Sequence, residues 1–167
     1  MKNPISFSDN INDLVRLLII LDTSNRLKPK YRITENRIKL YDYYLKFPHT
    51  MFDDVFVRED SKYNFDEYYA FFHWKPDVIK YRNNINYLIA KGLIEKRLEE
   101  SNLYFLICKQ GSDVLLKMRS GYKRRLLVLA EKAIPIISIL SDKKIEEEIM
   151  RKANLLSPRT GVKNNEN

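Results

Sequence analysis

The chain has 167 residues, 44% of them hydrophobic, a net charge of +8 and one cysteine. That length allows one domain, or one domain with a helical annex, and a lone Cys108 excludes a disulfide framework and suits a reducing compartment. Four glycines and few β-rich runs exclude a sandwich or barrel.

Ile5 to Ile11 is too polar for a signal sequence. The longest apolar run, Leu17 to Leu21, is about a quarter of the ~20 residues a membrane span needs. The expected location is the cytoplasm, with no membrane partner. A first helix is predicted from Ser8 to Asp22, because Ile11, Leu14, Val15, Leu18, Ile19 and Leu21 recur at helical spacing. Ser6 or Ser8 suits its cap, and Asp9 and Asp13 suit the positive end of its dipole. After a polar connection, Thr34 caps a second helix reaching Lys46, with Ile38, Tyr41, Asp42 and Leu45 on one side and Pro48 at its end.

Residues 52–75 read as an insertion that mixes acids with aromatics. A connection of that length is uncommon in a compact domain unless it is functional. Its aromatics are too many to leave in water, so they either pack on the core or meet a partner. Phe65, Tyr68, Tyr69, Phe72 and Trp74 are the candidate protein interface.

Pro76 suits the first turn of a third helix, and Gly92 suits the left-handed position just past its end. Leu93 to Leu98 and Leu103 to Cys108 are β-rich runs joined by Glu99-Glu100-Ser101-Asn102, which predicts a hairpin. Cys108 is expected as a small buried hydrophobe of the second run. Helix, glycine stop and hairpin outline a winged helix-turn-helix. A short helix follows over Gln110 to Met118, with Val114, Leu115 and Met118 inward. Ser120 caps a long helix over Gly121 to Leu140, which Pro135 should kink or break, and Ser141 caps a last helix from Asp142 to Asn154. The expected fold is therefore mainly α with a small β-hairpin. Residues 1–118 form a winged-helix-like domain with the insertion, 119–154 a C-terminal helical extension, and 155–167 a disordered tail.

The positive charge is uneven. Residues 76–125 carry eleven Lys/Arg against five Asp/Glu, whereas residues 51–75 carry three against six. At 100° per residue, Val78, Tyr81, Arg82, Ile85, Leu88 and Ile89 face the core, and Lys80, Asn83, Asn84, Tyr87 and Lys91 face outward. Those outward side chains are donors suited to phosphates and base edges. Lys96 and Arg97 on the wing would track a flanking backbone. Lys123, Arg124 and Arg125 open the long helix, where the dipole disfavours cations, which suggests an external anion. All ten residues are candidates for contact with DNA or an acidic partner, and a plain solvated face is the competing reading.

Catalytic signatures are scarce. No Walker phosphate loop, dinucleotide fingerprint, HExxH or paired CxxC occurs. His49 and His73 stand far apart with no cysteine beside either, so no metal, cofactor or catalytic residue is assigned.

Five pieces in order carry a family resemblance: NDLVRLLIILD, IKLYDYYLKFPH, the acidic-aromatic segment, INYLIAKGLIEKRLEESNLYFLICKQG, and SGYKRRLLVLAEKAI leading to a terminal helix. Together they resemble the middle component of ABC-three-component systems, of the second class, which in turn resembles the small subunit of Lamassu-type bacterial anti-phage and anti-plasmid defence systems. The resemblance covers roughly residues 5–150. The chain departs from it at Lys109-Gln110-Gly111, where relatives often carry threonine before that glycine. The resemblance implies a non-enzymatic bridging subunit between an SMC-like ABC ATPase and an effector, often a nuclease, held inactive until foreign DNA is sensed. DNA would be touched directly or through the complex. A winged-helix DNA-binding transcriptional regulator is the alternative.

Overall fold

The computed structural model describes residues 7–27, 32–52, 67, 70 and 77–155. Its elements in chain order are α1 (Phe7–Leu27), β1 (Ile33–Thr34), α2 (Glu35–Lys46), α3 (Pro48–Met51), α4 (Val78–Ala90), β2 (Ile94–Glu99), β3 (Asn102–Ile107), α5 (Lys109–Lys117), α6 (Gly121–Ser138) and α7 (Asp142–Leu155). The protein is mainly helical with one small antiparallel sheet, ordered β1-β3-β2. Ile33 pairs with Phe105 and Thr34 with Tyr104, so the two-residue β1 closes the open side of the hairpin. With the four-residue α3 set aside, the described order of helix, strand, helix, helix and two strands, with the first strand on the last, has the outline of a winged helix.

Local chemistry explains most boundaries. The Thr34 side chain accepts from the Arg37 N–H, Ser120 from Lys123 N–H and Ser141 from Lys144 N–H, each satisfying an amide that the helix itself leaves unpaired. Gly92 has φ +67 at the end of α4, where a β-carbon would be strained. Glu99 pairs with Asn102, leaving only Glu100 and Ser101 in the turn, with φ of 50 and 67. Two consecutive left-handed residues make the tight turn that matches hairpin twist, although Asn-Gly is the usual choice there.

One apolar cluster runs through the molecule, from Val15 and Ile20 of α1 to Ile134 of α6 and Ile145 of α7. At its centre is α2, where Ile38, Leu40, Tyr41, Asp42, Tyr43, Tyr44 and Leu45 are all buried. From Leu40 to Leu45 this helix is enclosed on every side and not only along the expected stripe. The start of α5 is fixed by close approach: a β-carbon on Gly111 would lie 2.3 Å from the Leu93 carbonyl oxygen and 2.8 Å from Ile107.

Several expectations need correction. The first helix extends to Leu27, one turn and more past Asp22. The cap of α4 is Asp77, whose carboxylate accepts from the Lys80 N–H. Helix α6 runs through Pro135 and ends at Ser138. Cys108 is half-buried at the N-cap of α5 rather than inside the strand. The expected tail (155–167) and the interface set Phe65, Tyr68, Tyr69, Phe72 and Trp74 lie outside the described residues, apart from the backbone of Leu155. Two described residues of the acidic-aromatic segment are tied down. The Tyr43 hydroxyl donates to the Ala70 carbonyl at 2.8 Å, and the buried Glu67 carboxylate accepts from His49 N–H and Thr50 N–H at 3.1 Å each.

Candidate functional site

Arg16 interrupts the apolar run of α1, and Asp42 interrupts the apolar run of α2; both are buried. An isolated charge in that position would be costly, so each requires a partner. The Arg16 guanidinium donates through Nε to Asp42 Oδ1 at 2.6 Å, through Nη2 to Asp13 Oδ1 at 2.5 Å, and through Nη1 to the Tyr122 hydroxyl at 3.3 Å. The Tyr81 hydroxyl donates to Asp42 Oδ2, and Lys80 Nζ lies 2.5 Å from Asp13 Oδ2. Burial alone would raise the Asp13 carboxyl, but Arg16 and Lys80 outweigh it and hold the group below its ordinary value. Burial, with the Asp42 charge added, pushes the Tyr81 hydroxyl well up, so it remains a donor.

This cluster sets how the winged helix presents itself, because it joins α1, α2 and the first turns of α4 and α6. Two candidates for outside contact are taken up by it or by the core. Lys80 reaches inward to Asp13, and Asn84 is only 8% exposed. Conversely Val78 and Arg82, expected inward, are exposed. The outer face of α4 is therefore Ile79, Arg82, Asn83, Asn86 and Tyr87, rotated from the predicted one, with Lys91 Nζ 5.6 Å from the Tyr87 ring centroid.

On the wing, Leu98 stands opposite Leu103 in the row that begins with buried Ile94. Side chains alternate across a strand, so this core row continues past the core to the tip. Leu98 is 73% exposed and Leu103 43%. The wing cation Arg97 is paired with Glu95 at 2.5 Å, and Arg32 beside it with Glu99 at 2.6 Å. Lys96 is exposed in the apolar row, opposite Phe105.

The free positive charge gathers elsewhere. Arg119, Lys123, Arg124 and Arg125, from the α5–α6 junction into the first turns of α6, make no ion pair among the described residues. A cleft of about 720 Å3 opens beside the buried cluster, between α1, α2, α4 and α7. Among the described residues its lining balances four cations (Arg16, Lys39, Lys46, Lys80) against four acids (Asp13, Asp42, Asp77, Glu146). Burial first, and then the Arg16 charge, lower the Lys46 pKa.

No protein-family model, curated protein or solved structure matches the chain. Among the described residues no helix is long and apolar enough to cross a membrane, and no group of three His, Cys, Asp or Glu is placed to hold a metal ion. Burial and the Glu95 charge push the Cys108 thiol up, which disfavours the reactive thiolate. What the structure brings together is thus two surfaces, an apolar-tipped wing beside α4 and a basic corner at α5–α6. Sequence reasoning had named Asn83, Tyr87, Lys91, Lys96, Arg97, Lys123, Arg124 and Arg125, and all remain on the outside, fully or partly. It missed Arg16, Asp77, Leu98 and Leu103. A single charge inside an apolar run was the available signal for Arg16, and an apolar residue next to the turn was the signal for Leu98.

Proposed function

We propose that the chain is a non-catalytic, cytoplasmic adaptor that links an SMC-like ABC ATPase to an effector, of nuclease type, in an anti-phage or anti-plasmid defence complex, and helps hold that effector inactive until foreign DNA is sensed. The resemblance to ABC-three-component middle components and Lamassu-type small subunits names the partners. The observation that carries the binding role is the wing. A wing that grips DNA offers cations to phosphates. Here the tip offers the exposed Leu98–Leu103 pair, and carboxylates neutralise the neighbouring arginines. An exposed aliphatic pair gains by burial against another protein and gains little from phosphate.

Co-expression with an SMC-like ABC ATPase and a nuclease-type effector from the same genome tests this reading. The wild-type chain should co-purify with both, and Leu98→Glu with Leu103→Glu should release one of them while the thermal transition stays in place. A wild-type chain that elutes alone would reject the adaptor role.

A winged-helix DNA-binding regulator is the second reading, favoured by Arg82, Asn83 and Asn86 on the outer face of α4 and by the cations of the α5–α6 corner, which pair with no acid among the described residues. Arginine and asparagine suit guanine and adenine edges. This reading requires duplex binding that weakens steeply with salt and is lost on reversing Arg82.

A further inference from the structure

Helix α6 has two opposed faces. Leu126, Ala130, Ala133, Ile134 and Ile137 point into the core. At 100° per residue, the opposite side gathers Arg124, Val128, Lys132 and Pro135, continued by Ile139 at the C-cap, with Arg125 and Ile136 at its edge. That outer side is not the polar face an amphipathic surface helix normally shows. Val128 is 53% exposed, Ile136 49% and Ile139 83%. The three cations on it, Arg124, Arg125 and Lys132, make no ion pair among the described residues. The acid on its flank, Glu131, is taken by Arg26 at 2.9 Å. The stripe from Arg124 to Ile139 spans roughly 22 Å at 1.5 Å per residue, about four helical turns.

The geometry points to α6 as the docking face for an amphipathic helix of another protein, one with an apolar seam flanked by Asp and Glu. This rests on the adaptor reading and specifies the surface through which one large partner is held. The apolar row would fill the seam of such a helix, and its acids would meet Arg124, Arg125 and Lys132 in a partly desolvated setting. A second copy of this chain fits worse. In an antiparallel pairing centred on the stripe, Lys132 meets Lys132, and in a parallel pairing every cation meets its own kind. DNA would use the cations and leave Ile136 and Ile139 in water. An anionic bilayer fits poorly because the face carries three aliphatics and no aromatic anchor.

The test uses the full chain and a synthetic helical peptide with leucine in the seam and glutamate on both flanks, followed by fluorescence anisotropy. A matched peptide with lysine flanks is the control. The glutamate peptide should bind and the lysine peptide should not. Ile139→Glu should weaken binding at least about tenfold, a loss of the size produced by one well-buried contact. Arg124→Glu, Arg125→Glu and Lys132→Glu together should reverse the preference in favour of the lysine peptide, and Ala controls at the three positions should weaken binding of the glutamate peptide and narrow its preference over the lysine peptide. Sedimentation and binding to phosphatidylserine vesicles complete the set. Failure of the glutamate peptide to bind, equal binding of both peptides, a dimer that Ile139→Glu dissociates, or vesicle binding without peptide binding would each overturn the proposal. Co-purification separates the two levels. A wild-type chain without partners rejects the adaptor, whereas an Ile139→Glu chain with undiminished partners rejects only the α6 face.

Discussion

Two arginines of this protein sit beside carboxylates at nearly the same distance and do opposite work. Arg16 meets Asp42 at 2.6 Å with both side chains withdrawn from water, whereas Arg97 meets Glu95 at 2.5 Å with both about half exposed. In the first, four helices are held in register by a charge that has nowhere else to go. In the second, water competes for the same bond, and the pair mainly removes a cation from a surface where DNA contact had been expected. Identical chemistry thus positions in one region and only neutralises in the other; the surrounding dielectric makes the difference.

The sharpest way to break that comparison is Arg16→Ala, which leaves Asp42 buried without its counter-charge and should cost about 3–5 kcal/mol by denaturant unfolding. A loss under about 1 kcal/mol would mean the cluster is solvated and the contrast is false. The same cluster shapes the acid limb. Asp13 is held below its ordinary value, so its stabilisation is complete above about pH 4 and disappears as pH falls through the lower folded value. Asp13→Asn should therefore flatten the stability profile in that acid range and nowhere above it.

A smaller loss belongs to the junction between the wing and α5. Gly111→Ala places a methyl against the Leu93 carbonyl and should lower stability by about 1–3 kcal/mol. An unchanged melting temperature would show that α5 can shift away. The wing turn should respond in the other direction. Glu100 and Ser101 occupy left-handed conformations that Asn and Gly adopt readily, so Glu100→Asn with Ser101→Gly should add about 0.5–1 kcal/mol. The smallest effect is expected for Arg97→Ala, within about 0.5 kcal/mol, measured beside Arg16→Ala under the same conditions.

Much of the fold was readable because its punctuation is local. Thr34, Ser120 and Ser141 each cap a helix through a hydroxyl and an amide three residues away, and Gly92 relieves a strain set by its own φ. A hairpin with a short polar turn needs only neighbouring residues to be recognised. The candidate surface was less readable. Helical periodicity put Asn84 outside and Arg82 inside, and packing turned α4 the other way, because Lys80 and Tyr81 are drawn toward acids on α1 and α2. The two-residue β1 was invisible for a related reason: Ile33 and Thr34 form a strand only because Phe105 and Tyr104 lie beside them.

From its residues alone, then, the chain specifies where helices start and stop, that a hairpin follows the third long helix, and that positive charge concentrates in residues 76–125. Tertiary structure decided which of those charges are available. Arg16 and Lys80 are consumed internally and Arg97 is neutralised by a neighbour on its own strand, while Arg124, Arg125 and Lys132 stay unpaired among the described residues, beside exposed valine and isoleucine. The physical reason is range. Capping and turn preferences act over three or four residues along the backbone, whereas an ion pair depends on whichever groups the finished packing brings within a few ångströms.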